Sequence, residues 1–164
     1  MDRRRRMAKT SYAIALGSNR RSHHGSPVET LRAALAALKP GAASTIRTTP
    51  ALGPAGRSFA NAVAIVESDL PPDELLDALK ILERSFGRRS GKRWGPRVLD
   101  LDIILWSEGA WGGPGPVVPH PEFRGRDFVL APLAALAPAW RDPLTGATVR
   151  QLLARLTRPR PLLR

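Results

Sequence analysis

The 164-residue chain has no cysteine. That excludes disulfides, thiolate catalysis and Cys-ligated zinc, and it fits a reducing compartment. Aromatic residues are scarce, at 5%. No apolar run approaches the roughly 20 residues that a membrane-spanning helix needs. The basic start, Met1-Asp2 followed by Arg3 to Arg6, leads into no signal-peptide apolar core. We therefore expect a cytoplasmic protein, with Met7 as an alternative start. No Gly-x-x-x-x-Gly-Lys-Ser/Thr phosphate loop occurs, and no zinc-ligand spacing. Acids are outnumbered, 14 against 26 Lys and Arg, for a formal net charge of +12.

At 43% hydrophobic the chain is globular, and its length suits one domain. We divide it into a basic N-terminal extension (residues 1–10), one domain (11–157) and a basic C-terminal tail (158–164). Nine of the positive charges lie near the ends, in Arg3 to Arg6 and in Arg150, Arg155, Arg158, Arg160 and Arg164. Solvated tails are the plain explanation for those.

Periodicity gives the order of elements. Ser11 to Leu16 alternates as a strand and is broken by Gly17-Ser18-Asn19. Ser26-Pro27-Val28-Glu29 is a helix start with an N-cap and a possible capping box. Val28, Leu31, Leu35 and Leu38 form the helical stripe. Ser44 to Thr48 reads as a short strand, and Phe59 to Glu67 as a third. A second helix opens at Pro71-Pro72-Asp73-Glu74, carries Leu75, Leu79, Leu82 and Phe86, and stops at Gly87. Glu83 lies at the edge of that stripe and is expected to be half-buried. A strand over Asp100–Ile104 follows. Ser107 to Gly125 reads as one long Gly/Pro-rich connection, and Phe128 to Leu133 is apolar without a clear type. Thr148-Val149-Arg150-Gln151 is a capping box for a closing helix. Strand, helix, strand, strand, helix, strand is the βαββαβ split unit. The predicted fold is α+β: a ferredoxin-like core with an antiparallel sheet covered by helices, plus C-terminal additions.

One stretch stands apart, Arg93-Trp94-Gly95-Pro96-Arg97-Val98-Leu99-Asp100-Leu101-Asp102-Ile103-Ile104. Its second half alternates as a strand, so Asp100 and Asp102 share one face, and Leu99, Leu101 and Ile103 the other. Paired carboxylates repel and are costly to ionise without a cation. From Arg84 to Leu99 there are six basic residues (Arg84, Arg88, Arg89, Lys92, Arg93, Arg97) and no acid. Carboxylates beside an arginine-rich loop suit a polyphosphate bridged to the protein by Mg²⁺. Plain salt bridging between the two groups is the alternative. Trp94 either covers a bound ring or packs as a core aromatic. Asn61 shares a strand face with Val63 and Ile65, as a ligand-binding amide or as one satisfied by backbone. His23 and His24 read as exposed loop residues.

Further motifs complete a resemblance. Ala15-Leu16-Gly17-Ser18-Asn19, the Thr49-Pro50 to Asn61 loop, Glu83 to Gly87-Arg88, the Arg93–Ile104 stretch, Val118-Pro119-His120 and Arg126-Asp127-Phe128 occur in order. Over about Tyr12 to Leu156 the chain resembles the 6-hydroxymethyl-7,8-dihydropterin pyrophosphokinases of folate biosynthesis. The resemblance implies transfer of the pyrophosphoryl group of ATP to the pterin hydroxymethyl oxygen, with release of AMP and use of two Mg²⁺ ions. It implies that Asp100 and Asp102 bridge both ions. Arg88, Trp94, Arg97, His120 and Arg126 would contact ATP, with Arg88 and Arg97 also catalytic. Thr49, Pro50, Leu52, Phe59, Asn61 and Phe128 would hold the pterin, Phe59 and Phe128 on its two faces. Glu83 matches an acid near the site, and Lys92 is a possible supporting charge.

Departures from the family pattern fall on the ATP side. Ser90 stands where many relatives carry an arginine, Gly115 and Val117 where some carry Arg and Thr, and Pro121 where a tyrosine is common. Expected partners are ATP and the pterin, without nucleic acid or membrane, for a monomer. The rival is a basic nucleic-acid-binding module on the same sheet. It leaves the paired aspartates unexplained and lacks the set of sheet-borne aromatics on which RNA-binding relatives stack bases.

Overall fold

A computed structural model describes residues 8–49, 58–87 and 98–162. The elements run β1 (Thr10–Ser18), α1 (Pro27–Leu38), β2 (Ala42–Ala43), β3 (Arg47–Thr49), β4 (Phe59–Ser68), α2 (Pro72–Ser85), β5 (Asp100–Trp106), a 3-10 turn (Phe123–Gly125), α3 (Asp127–Leu136) and α4 (Val149–Thr157). The sheet order is β2-β4-β1-β5 with β3 also on β4, and every pairing is antiparallel. This is the α+β arrangement expected from the element order. Each helical crossover skips one strand, which puts β1 and β4 in the centre and β5 at an edge.

Side-chain size on β1 decides how the layers stack. Tyr12, Ile14 and Leu16 point to one face and are fully buried against Leu31 of α1 and Leu75 and Leu79 of α2. Burying side chains of this size contributes roughly 1.5–3 kcal/mol each. The opposite face carries Ala13, Ala15 and Gly17. These small residues let α3 and α4 approach through Val129, Leu130, Leu133, Val149 and Leu152. The molecule is thus a helix–sheet–helix sandwich with a core on either side of the sheet.

Several local expectations are refined. β1 starts at Thr10 because the Trp106 indole donates to Thr10 Oγ1 at 2.9 Å, fixing the strand end. The strand expected over Ser44–Thr48 is two short pieces. Between them the Ser44 hydroxyl accepts the Val63 N–H at 2.9 Å and replaces a ladder bond. Ser26 caps α1 by accepting the Glu29 N–H, but its own hydroxyl donates to Glu29 Oε1, so the box closes through the side chain. The Thr148–Gln151 box of α4 is complete in both directions, at 2.9 and 3.1 Å. The Ser107–Gly125 connection is not structureless. Trp111 and Val118 exchange backbone hydrogen bonds at 2.8 and 3.0 Å, and Phe123 is fully buried. The apolar run of unassigned type is helix α3, with Pro132 inside it.

Candidate active site

The C-terminal end of β1 meets the N-terminal ends of β4 and β5, because both neighbours run antiparallel to it. In register, Asn61 of β4, Gly17 of β1 and Asp100 of β5 form one cross-strand row. Val63, Ala15 and Asp102 form the next. All these positions face α3. The small residues on β1 leave a gap between the amide strand and the acid strand, and a cavity of about 70 Å³ opens there. Its lining includes Gly17, Asn61, Asp100, Asp102, Arg126 and Phe128. A Cβ on Gly17 would stand 3.4 Å from Asn61 Oδ1, so glycine keeps the floor open.

The acid strand behaves as alternation requires. Leu101 and Ile103 are buried in the α1/α2 core, while Asp100 and Asp102 are partly exposed on the other face. Burial pushes the Asp102 carboxyl above the usual carboxylate range, and the Asp100 charge pushes it further. Glu83 adds to this, whereas His120 and Arg126 oppose it. Two carboxylates that resist joint ionisation fit a cation site. The donors are hard oxygens, which suit Mg²⁺. Among the described residues no group of three or more His, Cys, Asp or Glu side chains could hold a metal by itself. The remaining positions would fall to phosphate oxygens and water, the arrangement Mg²⁺ favours with nucleotides.

Glu83 is more deeply placed than its position at the stripe edge suggested. It is fully buried, and its Oε1 accepts the Leu101 N–H at 2.8 Å. β5 is an edge strand, and the amide between the two aspartates needs an acceptor from outside the sheet. Glu83 supplies it from the α2 side and so fixes the strand that carries both acids. Lys80 Nζ lies 3.8 Å from its other oxygen.

The side of the cavity bearing nitrogen donors is built on the segment after β5. The His120 N–H donates to Ile104 O at 3.0 Å, which ties the residue to the strand next to Asp102. Its Nδ1 accepts the Glu122 N–H at 3.1 Å, so the ring proton sits on Nε2, available to an anion. Arg126 pairs with Glu122 and lies 5.8 Å over the Phe128 ring. Phe59 and Phe128 are 46% and 40% exposed, unusual for phenylalanine and suited to a flat ligand ring. Phe59 pairs with Thr49 across β3 and β4. Neither Phe59 nor Thr49 lines the small cavity itself.

The structure therefore gathers Asn61, Asp100, Asp102, Arg126 and Phe128 in one cavity, with His120 on the adjoining segment and Glu83 beneath the acid strand. Pro50, Leu52, Arg88, Lys92, Trp94 and Arg97 lie outside the described residues. A larger groove of about 700 Å³, at the far end of β1 and β4 near Lys9, Lys39, Glu67 and Trp140, holds none of this donor set. Sequence reasoning passed over Gly17 as a cavity floor and the Arg124–Asp142 pair. Arg124 Nε and Nη2 meet the two Asp142 carboxylate oxygens at 2.5 and 2.8 Å. Arg124 and Asp142 lie 18 positions apart in two loops, and no periodic pattern marks such a contact.

Comparison with known proteins gives a consistent set of relatives. A sequence model of the 7,8-dihydro-6-hydroxymethylpterin-pyrophosphokinase (HPPK) family matches residues 13–138. The chain is 43% identical over 148 residues to a Pseudomonas aeruginosa 2-amino-4-hydroxy-6-hydroxymethyldihydropteridine pyrophosphokinase, covering 86% of this chain and 88% of that one. It is 41% identical over 103 residues to the Synechocystis protein of the same name, spanning 63% of this chain and about half (53%) of that relative. Its backbone is similar to wild-type Plasmodium falciparum HPPK-DHPS, with a TM-score of 0.70 at 11% identity, over 90% of this chain and 44% of that one. The last likeness concerns the fold.

Proposed function

The chain belongs to the 7,8-dihydro-6-hydroxymethylpterin-pyrophosphokinase family, and from that premise we propose that it transfers the pyrophosphoryl group of ATP to 6-hydroxymethyl-7,8-dihydropterin and releases AMP. The observation that carries the reading is the same-face pair Asp100 and Asp102, opposite Asn61 and Phe128 in one cavity. A nucleic-acid module would have no use for that pair.

Asp100 and Asp102 are the residues that would hold Mg²⁺, which when bound neutralises polyphosphate charge and orients the transferred group. The chain's own residues do the rest. His120 offers its Nε2 proton, and Arg126 its guanidinium, to phosphate oxygens on the β5 side. Arg88, Trp94 and Arg97, with Lys92 as support, complete the nucleotide site in our reading. The Asn61 amide presents both a donor and an acceptor, which matches the alternating edge of a pterin. Phe59 and Phe128 supply exposed ring faces, and Thr49, Pro50 and Leu52 the adjoining loop. The pterin hydroxyl loses a proton as its oxygen bonds to the β-phosphorus of ATP. The bond from that phosphorus to the α,β-bridging oxygen breaks, and AMP leaves with the oxygen. Asp102 is our candidate for accepting the released proton, a weak base while it holds the metal.

No described helix is long and apolar enough to cross a membrane. We further propose a cytoplasmic monomer that binds ATP and the pterin rather than nucleic acid. The test is AMP release from ATP by the purified protein. We expect AMP only when both the pterin and Mg²⁺ are present. Steeply salt-dependent nucleic-acid binding without ATP turnover would instead favour the rival.

A further inference from the structure

The segment from His120 to Arg126 carries the described nucleotide-side groups, yet has little regular structure to hold it. It contains Pro121 and Gly125 and just one 3-10 turn. Arg124 lies inside that turn, two residues before Arg126. Its guanidinium grips Asp142 in a two-bonded fork and lies 4.8 Å from the centroid of the Phe123 ring. Asp142 is fully buried in the α3–α4 connection, and its carboxylate also accepts the Leu144 N–H at 3.0 Å and the Thr145 hydroxyl at 2.7 Å. The Asp142 backbone bonds Ala147 O and Gly146 N at 2.8 Å each. The turn around Asp142 is thus closed by its own bonds, and the fork adds a rigid link outward to the 3-10 turn. From there the contacts continue toward the site. Glu122 lies in the same segment, its carboxylate pairs with Arg126, and its N–H fixes His120 Nδ1.

We propose that Arg124 and Asp142 are a positioning pair for nucleotide binding, holding His120 and Arg126 at the cavity edge so that their donors meet the polyphosphate together. The pair touches no substrate and acts through the segment it anchors. A planar fork suits this role because it fixes orientation as well as distance, which an ammonium cannot. Displacing donors by a fraction of an ångström at a site that works by positioning is costly. The inference rests on the pyrophosphokinase reading for the identity of the polyphosphate.

The test uses the full chain with Arg124→Ala, Arg124→Lys and Asp142→Asn. Affinity is measured for a non-hydrolysable ATP analogue with Mg²⁺ and, separately, for the pterin, alongside melting temperature. We expect Arg124→Ala and Asp142→Asn to weaken the nucleotide by about tenfold and leave the pterin unchanged, with Arg124→Lys between them and wild type. The chain has three histidines, so imidazole NMR resolves His120, whose signal should move in the variants while those of His23 and His24 stay. A lowered melting temperature with unchanged nucleotide affinity and an unmoved His120 signal would overturn the inference and leave the pair merely structural. Should wild type bind neither ligand, the pyrophosphokinase reading fails, while the His120 signal still decides whether the pair positions the segment.

Discussion

Replacing Asp102 by asparagine should make the ligand-free protein more stable at neutral pH while removing its response to Mg-nucleotide. Residues i and i+2 of a strand are about 6.6 Å apart. Two full charges at about that distance repel by about 2.5 kcal/mol at an effective dielectric of about 20, and by about 0.6 in water. Arg126 and His120 oppose part of the repulsion, so a net relief on the order of 1 kcal/mol is expected, in line with neutralised functional sites elsewhere. For a chain of this size that is about 2–4 °C in Tm. The sign follows from the raised Asp102 pKa. A folded chain that holds its proton to higher pH than the unfolded chain loses stability as pH rises from the ordinary carboxylate pKa through the raised one. The gain in Asp102→Asn should therefore be present at pH 7 and absent near pH 4. Differential scanning calorimetry at both pH values checks this, with and without an ATP analogue plus Mg²⁺. Wild type should be stabilised by the ligand and the variant hardly at all. A variant that is less stable than wild type without ligand at pH 7, or that keeps the whole ligand-induced rise, would refute the reasoning.

Other outcomes follow from the same geometry. Glu83→Ala strands the buried Leu101 N–H, at a cost of about 1–3 kcal/mol beyond the lost packing. Glu83→Gln keeps an acceptor, so urea denaturation should rank it between wild type and alanine. Asp142 is held at about 2 against an ordinary 3.8 by Arg124, Thr145 and the Leu144 amide, which outweigh its burial. A depressed carboxylate stabilises the fold above its ordinary pKa and loses that contribution as pH falls through about 2. The contribution is roughly 2 kcal/mol, so Asp142→Asn should flatten the acid limb between about pH 4 and 2 in a stability–pH profile. Tyr12, the single tyrosine, is buried and donates to Leu70 O at 2.6 Å. Burial pushes its phenol up to about 12, so ultraviolet titration should show no phenolate near the usual pH 10 while the fold persists.

Much of the architecture was legible because it is written in short-range periodicity. Alternation alone put Asp100 and Asp102 on one face and Asn61 with Val63 and Ile65, and capping residues marked the starts of α1 and α4. What escaped depends on partners distant in the chain. Glu83 looked half-buried from its place on a helix wheel, but the outward amide of an edge strand draws it fully inside. The strand after α1 is interrupted because one serine hydroxyl captures one amide of β4. Helix α3 is apolar on most sides because it is pressed between the sheet and α4, so its periodicity is weak. Arg124 and Asp142 meet across two loops, with nothing local to announce them. Gly17 reads locally as a strand breaker, but β1 runs through it to Ser18, with Asn61 and Asp100 paired on either side. Its role as the floor between Asn61 and Asp100 needed the register of three strands.

The most direct test of the central claim is phosphorus NMR of the reaction mixture. With ATP, 6-hydroxymethyl-7,8-dihydropterin and Mg²⁺, wild type should give AMP and a pterin diphosphate in equal amounts, and Asp100→Ala or Asp102→Ala neither, though both variants fold. Formation of ADP with a pterin monophosphate, or full turnover by either aspartate variant, would contradict the account.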